Sequence, residues 1–228
     1  MMKKEVTPLK GLNSNRLKLL ALLTMTVDHI GVHLFPQYPI LRIIGRLAFP
    51  IYAYCIAEGC VHTKNRKKYL MQMAGMALLC QLVYFFAMGS LFQCILVTFT
   101  LSILTIYAID SGSSVKAAAA LCAVVLIAVF LPQWLPNTDF AVDYGLWGVL
   151  LPVAVYLSRE RGQKLLCTAI FLSLLALAYG GIQWLALLAI FPLSLYNGQR
   201  GSTRLKGLFY WYYPLHLVAI YGIGLLLS

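Results

Sequence analysis

Apolar stretches long enough to cross a lipid bilayer recur along the whole sequence. They fall at 17–35, 41–61, 69–88, 91–109, 115–131, 143–157, 165–179, 182–196 and 207–227, with short polar connectors between them. About 20 apolar residues in a helix cover a hydrocarbon core of roughly 30 Å. The pattern predicts an all-α, polytopic integral membrane protein of about nine transmembrane helices, eight to ten if the short 143–157 and 182–196 segments tilt or re-enter. The connectors leave no room for a separate soluble domain, so residues 1–228 read as a single transmembrane domain.

Composition narrows the class further. Of the 228 residues, 61% are hydrophobic and 11% charged, against roughly 45–50% and about 25% in soluble domains. So few charges cannot coat a soluble globule, and so much apolar surface excludes disorder. The six cysteines (Cys55, Cys60, Cys80, Cys94, Cys122, Cys167) lie in apolar stretches without paired spacing, which suits packing rather than a disulfide scaffold. The basic-then-apolar start resembles a signal peptide, but no small-residue cleavage site follows, so it reads as an uncleaved first span.

The formal charge is +11, from 18 Lys and Arg against 7 Asp and Glu. Sixteen of those cations fall in alternate connectors: Lys3 to Lys18 before span 1, Lys64 to Lys68, Lys116, Arg159 to Lys164, and Arg200 to Lys206. Basic short loops mark the cytoplasmic face. The pattern predicts a cytoplasmic N-terminus and insertion in the cell (inner) membrane. A nucleic-acid surface would be one contiguous basic face rather than matched loops, so no nucleic-acid partner is expected. Two arginines break the rule: Arg42 and Arg46, one helical turn apart at the outer end of span 2.

Ionisable groups inside a span are costly and point to function. Here they are Asp28, His29 and His33 in span 1, Arg42, Arg46 and Glu58 in span 2, Asp143 at the mouth of span 6, and His216 in span 9. Adjacent residues on a helix point about 100° apart, so Asp28 cannot hold the ring of its neighbour His29. Asp28 is expected to pair with Arg42 or Arg46, while Glu58 or a backbone carbonyl orients His29. Read from the residues alone, His29 is either a general base or a hydrogen-bonded core residue beside a structural ion pair. His29 and His33 share a face and would suit a metal, but no third ligand is evident, and none is expected. Arg42, Arg46 and Glu58 form a polar stripe that either lines a passage or glues helices together. His216 lies deeper than the aromatic belt of Tyr210 to Tyr213, and Pro214 is expected to loosen the helix there.

Several motifs carry a family resemblance. LKLLALLTMTVDHIG (17–31), LRIIGRLAFPIYAYCIAEG (41–59), TKNRKKYL (63–70), DYGLWGVLL (143–151), LYNGQRG (195–201) and FYWYYPLHL (209–217) resemble the TraX family, known for acetylating pilin in conjugation systems. That family is similar to membrane acyltransferases that use cytosolic acetyl-CoA and carry an Arg-x10-His pattern on the first span. Lys18 and His29 meet that spacing, with Lys in place of Arg, and Phe49-Pro50 resembles the group's second-span motif. The resemblance implies that His29 is the general base, assisted by Asp28. It implies that Arg42, Arg46, Glu58, His216, Tyr213 and Asp143 line the active cavity. It places Lys18, Asn197 and Arg200 near the acyl donor, acetyl-CoA, the only cofactor expected. The acceptor would be an amine or hydroxyl of an exported or cell-surface molecule, such as a pilin N-terminus.

A second class remains open, a proton-coupled transporter whose relay is Asp28, His29 and Glu58, although no inverted repeat is visible. A third is a non-catalytic assembly factor of an export machine.

Overall fold

Asn13, Asn65 and Ser113 each precede an apolar run, and their side chains accept hydrogen bonds from the backbone N–H groups of Arg16, Lys68 and Lys116. Such caps satisfy donors that the first helical turn leaves unpaired. The computed structural model describes residues 11–202 and 205–227. Lys3, Lys4, Lys10 and Arg204, which contribute to the charge pattern, lie outside the described residues. The helices are α1 (Ser14–His33), α2 (Pro39–Gly45), α3 (Ala48–His62), α4 (Arg66–Met88), α5 (Ile95–Asp110), α6 (Ser114–Val125), α7 (Leu131–Trp134), α8 (Gly145–Leu157), α9 (Arg161–Tyr179), α10 (Ile190–Ser194) and α11 (Lys206–Leu227).

Three predicted spans are not uniform helices. The 41–61 segment breaks between α2 and α3, where the N–H groups of Arg46 and Leu47 reach back only three residues, to Ile43 and Ile44. A π-helical turn, Leu126–Phe130, joins α6 to α7. The 182–196 segment begins as a 3₁₀ helix, Gly181–Ala189, before α10. A 3₁₀ run of that length is uncommon, because its hydrogen bonds are poorly aligned.

Among the described residues, four helical stretches are long and apolar enough to cross a membrane: Pro39–His62, Arg66–Phe86, Ser114–Trp134 and Arg161–Tyr179. Leu78, Leu82 and Phe86 on α4, and Leu166, Ile170 and Leu177 on α9, are exposed. An apolar outer surface of this kind suits lipid rather than water. The chain is a helical membrane protein. Its core is built around α3, which packs on α1, α5 and α8 and buries Phe49, Ile51, Tyr54 and Ile56.

The connections gather at two ends. At one, Arg66 and the Tyr156 hydroxyl both reach Asp110, Arg161 reaches the Ser194 carbonyl, and Leu12 lies beside Tyr196. At the other, the Asp139 carboxylate accepts from Ser90 Oγ (2.5 Å) and Leu91 N (2.8 Å), and Gln93 pairs with the 141–143 backbone. The basic connectors Lys64 to Lys68 and Arg159 to Lys164 therefore share the first end, and Asp28, Arg42 and Arg46 belong to the second.

Candidate active site

Asp28, near the C-terminal end of α1, receives both exceptional arginines. Arg42 Nη1 donates to Oδ2 at 2.7 Å and Arg46 Nη2 to Oδ1 at 3.0 Å. The Asp28 and Arg46 side chains are only 14% and 11% exposed, so the pair is largely desolvated and each charge depends on the other. Arg46 Nε also donates to the Arg42 carbonyl at 3.3 Å, across the break between α2 and α3. Its Nη1 donates to Gln183 Oε1 at 3.2 Å. Gln183 is buried on the 3₁₀ helix, and its Nε2 has no hydrogen-bond partner among the described residues. Sequence reading missed it; a lone amide within the apolar run 181–189 was the available signal.

One residue on, His29 turns to a different partner. Its Nδ1 lies 2.6 Å from His216 Nε2, and His216 Nδ1 lies 2.9 Å from the Tyr212 carbonyl. Neither Glu58 nor a carbonyl orients His29 directly, contrary to the expectation from sequence. Tyr213 packs edge-on to both imidazoles, with centroids at 6.2 and 5.4 Å. Tyr212 stacks on His216 at 5.2 Å and shares a hydrogen bond with Thr26 Oγ1 at 2.9 Å. His33 is exposed, its ring 6.3 Å from that of His29. Pro214 sits inside an uninterrupted α11.

Asp143 approaches the same cluster from the connector before α8, where it feels the Arg46, Asp28 and Arg42 charges. Thr98 Oγ1 donates to the Asp143 carbonyl at 2.8 Å, which holds that connector in place. The next residue, Tyr144, takes a left-handed backbone conformation (φ 58°). That conformation is costly for a bulky side chain and tends to occur at functional sites. Stacking on Phe49, with centroids 3.9 Å apart, supports it.

Glu58 lies elsewhere. It is twelve residues beyond Arg46, about 18 Å along the helical run, and so is remote from His29. Lys164 Nζ donates to its Oε1 at 2.5 Å, and His62 Nε2 is 3.4 Å from its Oε2. The expected stripe of Arg42, Arg46 and Glu58 is thus split between the two ends. Glu58 faces a cavity of about 380 Å³, lined also by Tyr54, Arg159, Arg161, Lys164, Asn197 and Gly198. Asn197, which the resemblance places near the acyl donor, is among the residues that line it. Arg200 is exposed and does not line it, and Lys18 instead lies over the Phe209 ring, 5.6 Å from its centre. The cations of this cavity are Arg159, Arg161 and Lys164, which sequence reading had used only for orientation. Among the described residues, no three His, Cys, Asp or Glu side chains could jointly hold a metal ion.

The TraX family model matches residues 13–224, nearly the full length. The chain belongs to the TraX family. It is 24% identical to a probable fimbrial assembly protein, FimC, of Dichelobacter nodosus serogroup H1, over 90% of this chain and 93% of that one. A shorter match, 53% identical over 38 residues, joins it to an uncharacterised protein of Rickettsia prowazekii, covering 17% of this chain and 15% of the relative. No solved structure matches. The TraX match takes in α1 to α10 and most of α11, so of the residues that define the two ends it leaves out Leu12 alone.

Proposed function

We propose that this TraX chain is a membrane-embedded acetyltransferase that moves an acetyl group from cytosolic acetyl-CoA to an amine or hydroxyl of an exported acceptor, a pilin N-terminus being one example. The observation that carries the reading is the division of polar groups between the two ends. His29 stands beside the Asp28–Arg42–Arg46 ion-pair cluster at one end, and a basic cavity opens at the other.

The charges suit that reaction. The phosphates of acetyl-CoA are anionic, and Arg159, Arg161 and Lys164 would hold them at the cytoplasmic end, with Asn197 at the rim. The long pantetheine arm then runs along α3 toward His29. His29 removes a proton from the acceptor, whose lone pair attacks the thioester carbonyl. Arg46 stabilises the oxyanion that forms, and Asp28 and Arg42 keep its guanidinium in place. Collapse of the adduct breaks the C–S bond, and the CoA thiolate takes the proton from His29.

The basic end faces the cytoplasm in this reading, so the donor enters from inside and the acceptor is modified near the outer face. The separation of Glu58 from His29 supports acyl transfer over a proton relay through those two residues. The test is full-length protein in liposomes with labelled acetyl-CoA and an added amine, comparing wild type with His29→Ala. His29-dependent transfer of label to the amine is expected. Equal turnover by both proteins, or no acetyl-CoA binding by either, would overturn the proposal.

A further inference from the structure

We infer that His216 is a positioning residue: it holds the His29 ring in the tautomer that carries its proton on Nδ1, leaving Nε2 as the atom that accepts the acceptor's proton. What Nε2 does chemically rests on the acyl-transfer reading; the tautomer itself does not.

The argument begins at a backbone carbonyl. The Tyr212 oxygen only accepts, so the 2.9 Å contact requires a proton on His216 Nδ1. A neutral imidazole has one N–H, which leaves His216 Nε2 as an acceptor. The 2.6 Å contact to His29 must therefore be donated by His29 Nδ1–H, and His29 Nε2 then bears the free lone pair. It has no hydrogen-bond partner among the described residues. Ring geometry agrees: the planes differ by 21° and the centroids are 4.8 Å apart. With an N···N distance of 2.6 Å, that separation means the two nitrogens point at each other nearly in plane, as a hydrogen bond requires and face-to-face stacking would not allow.

The alternative, a doubly protonated His216 donating at both nitrogens, would place another cation on α11, within a membrane region that already holds Arg42 and Arg46 on the 39–62 segment. Histidines that act as bases commonly have the non-reacting nitrogen fixed by an acceptor, usually a carboxylate. Here the nearest carboxylate, Asp28, is taken by two arginines, and a second imidazole anchored to a carbonyl fills that place. The neutral acceptor also leaves His29 without an adjacent counter-charge. When Nε2 takes the acceptor's proton, the imidazolium still donates from Nδ1 to His216, and the proton passes to the departing thiolate, restoring the starting tautomer.

The test uses full-length protein with ¹⁵N-labelled histidine in nanodiscs, as wild type, His216→Gln and His216→Phe, read by nitrogen NMR and by acetyl transfer. A Gln amide oxygen can accept from Nδ1–H much as His216 Nε2 does; Phe cannot. His29 is expected in the Nδ1–H form in wild type and His216→Gln. In His216→Phe it shifts toward the Nε2–H form, and kcat falls roughly 10²-fold while KM for acetyl-CoA stays within about twofold. Rescue by Gln separates positioning from packing. A wild-type His29 protonated on Nε2, or on both nitrogens, would overturn the inference, as would His216→Gln behaving like His216→Phe. If no acetyl transfer occurs at all, the NMR result still decides the tautomer, and only the proposed function fails.

Discussion

Gly45 and Asp28 touch so closely that a Cβ on Gly45 would fall on the Asp28 carboxylate itself, meeting its Oδ1, Cγ and Cβ. The absence of a side chain at Gly45 lets α2 lie against α1, and that approach brings Arg42 and Arg46 to the carboxylate from either side of the glycine. Gly31 performs the same service from α1, where a Cβ would lie 2.7 Å from Leu41 Cβ. Small residues at such crossings are how membrane helices reach close contact.

Gly45→Ala is therefore expected to cost about 1–3 kcal/mol by overpacking and to move Asp28 off its arginines, with activity lost. Gly75→Ala is the matched control, since nothing lies within 4 Å of the new methyl; removing a mid-helix glycine there should be neutral or stabilise by about 0.5–1 kcal/mol. Thermal unfolding of both variants in detergent distinguishes them, and equal melting temperatures would contradict the packing argument.

Asp28→Asn removes the carboxylate to which both guanidinium groups are bonded. Breaking a buried pair from one side costs about 3–5 kcal/mol, so the variant should unfold at lower temperature even where it inserts. Arg42→Gln, whose side chain is the more exposed at 34%, should cost less than Arg46→Gln, whose guanidinium also serves Arg42 and Gln183. The rank order of the three melting temperatures is the measurement.

In the basic cavity, opposite signs are expected for neighbouring substitutions. If the cavity holds the acetyl-CoA phosphates as proposed, Lys164→Ala and Arg161→Ala each remove a charge-assisted contact worth about 1.5–3 kcal/mol, raising KM for acetyl-CoA roughly tenfold or more with little change in kcat. Glu58→Gln removes the anion that neutralises Lys164, so KM should fall, most clearly at low salt, where the cavity's field is least screened. A Glu58→Gln enzyme that loses all activity would argue instead for a role of Glu58 in proton movement.

At the other end, hydrogen bonds from Ser90 Oγ and then Leu91 N–H hold the Asp139 carboxyl below the usual carboxylate range. A depressed folded-state value means that the tie is fully present above the unfolded value and is lost as pH falls through the folded one. Amide exchange at Leu91 should therefore stay protected until pH drops below the ordinary carboxylate range. In Asp139→Asn, protection should be weaker and independent of acid.

Much of this was legible in the chain. Hydrophobic periodicity and length determine helices and membrane insertion, because lipid leaves backbone groups no partner outside the segment. The two arginines that broke the charge pattern and the ionisable residues of the first span marked most of one end, because burying a charge is expensive enough to single out its position. Tertiary structure decided the partners. His29 and His216 are 187 residues apart, and no local rule relates them; only the packing of α11 on α1 brings the two rings together. Gln183 was silent because a neutral amide carries little insertion cost, and its role depends on where a 3₁₀ helix crosses α2. Glu58 was expected to orient His29 because helical spacing reports which face a residue shares, whereas its ion pair is settled by the helix packed alongside, which here is α9 with Lys164.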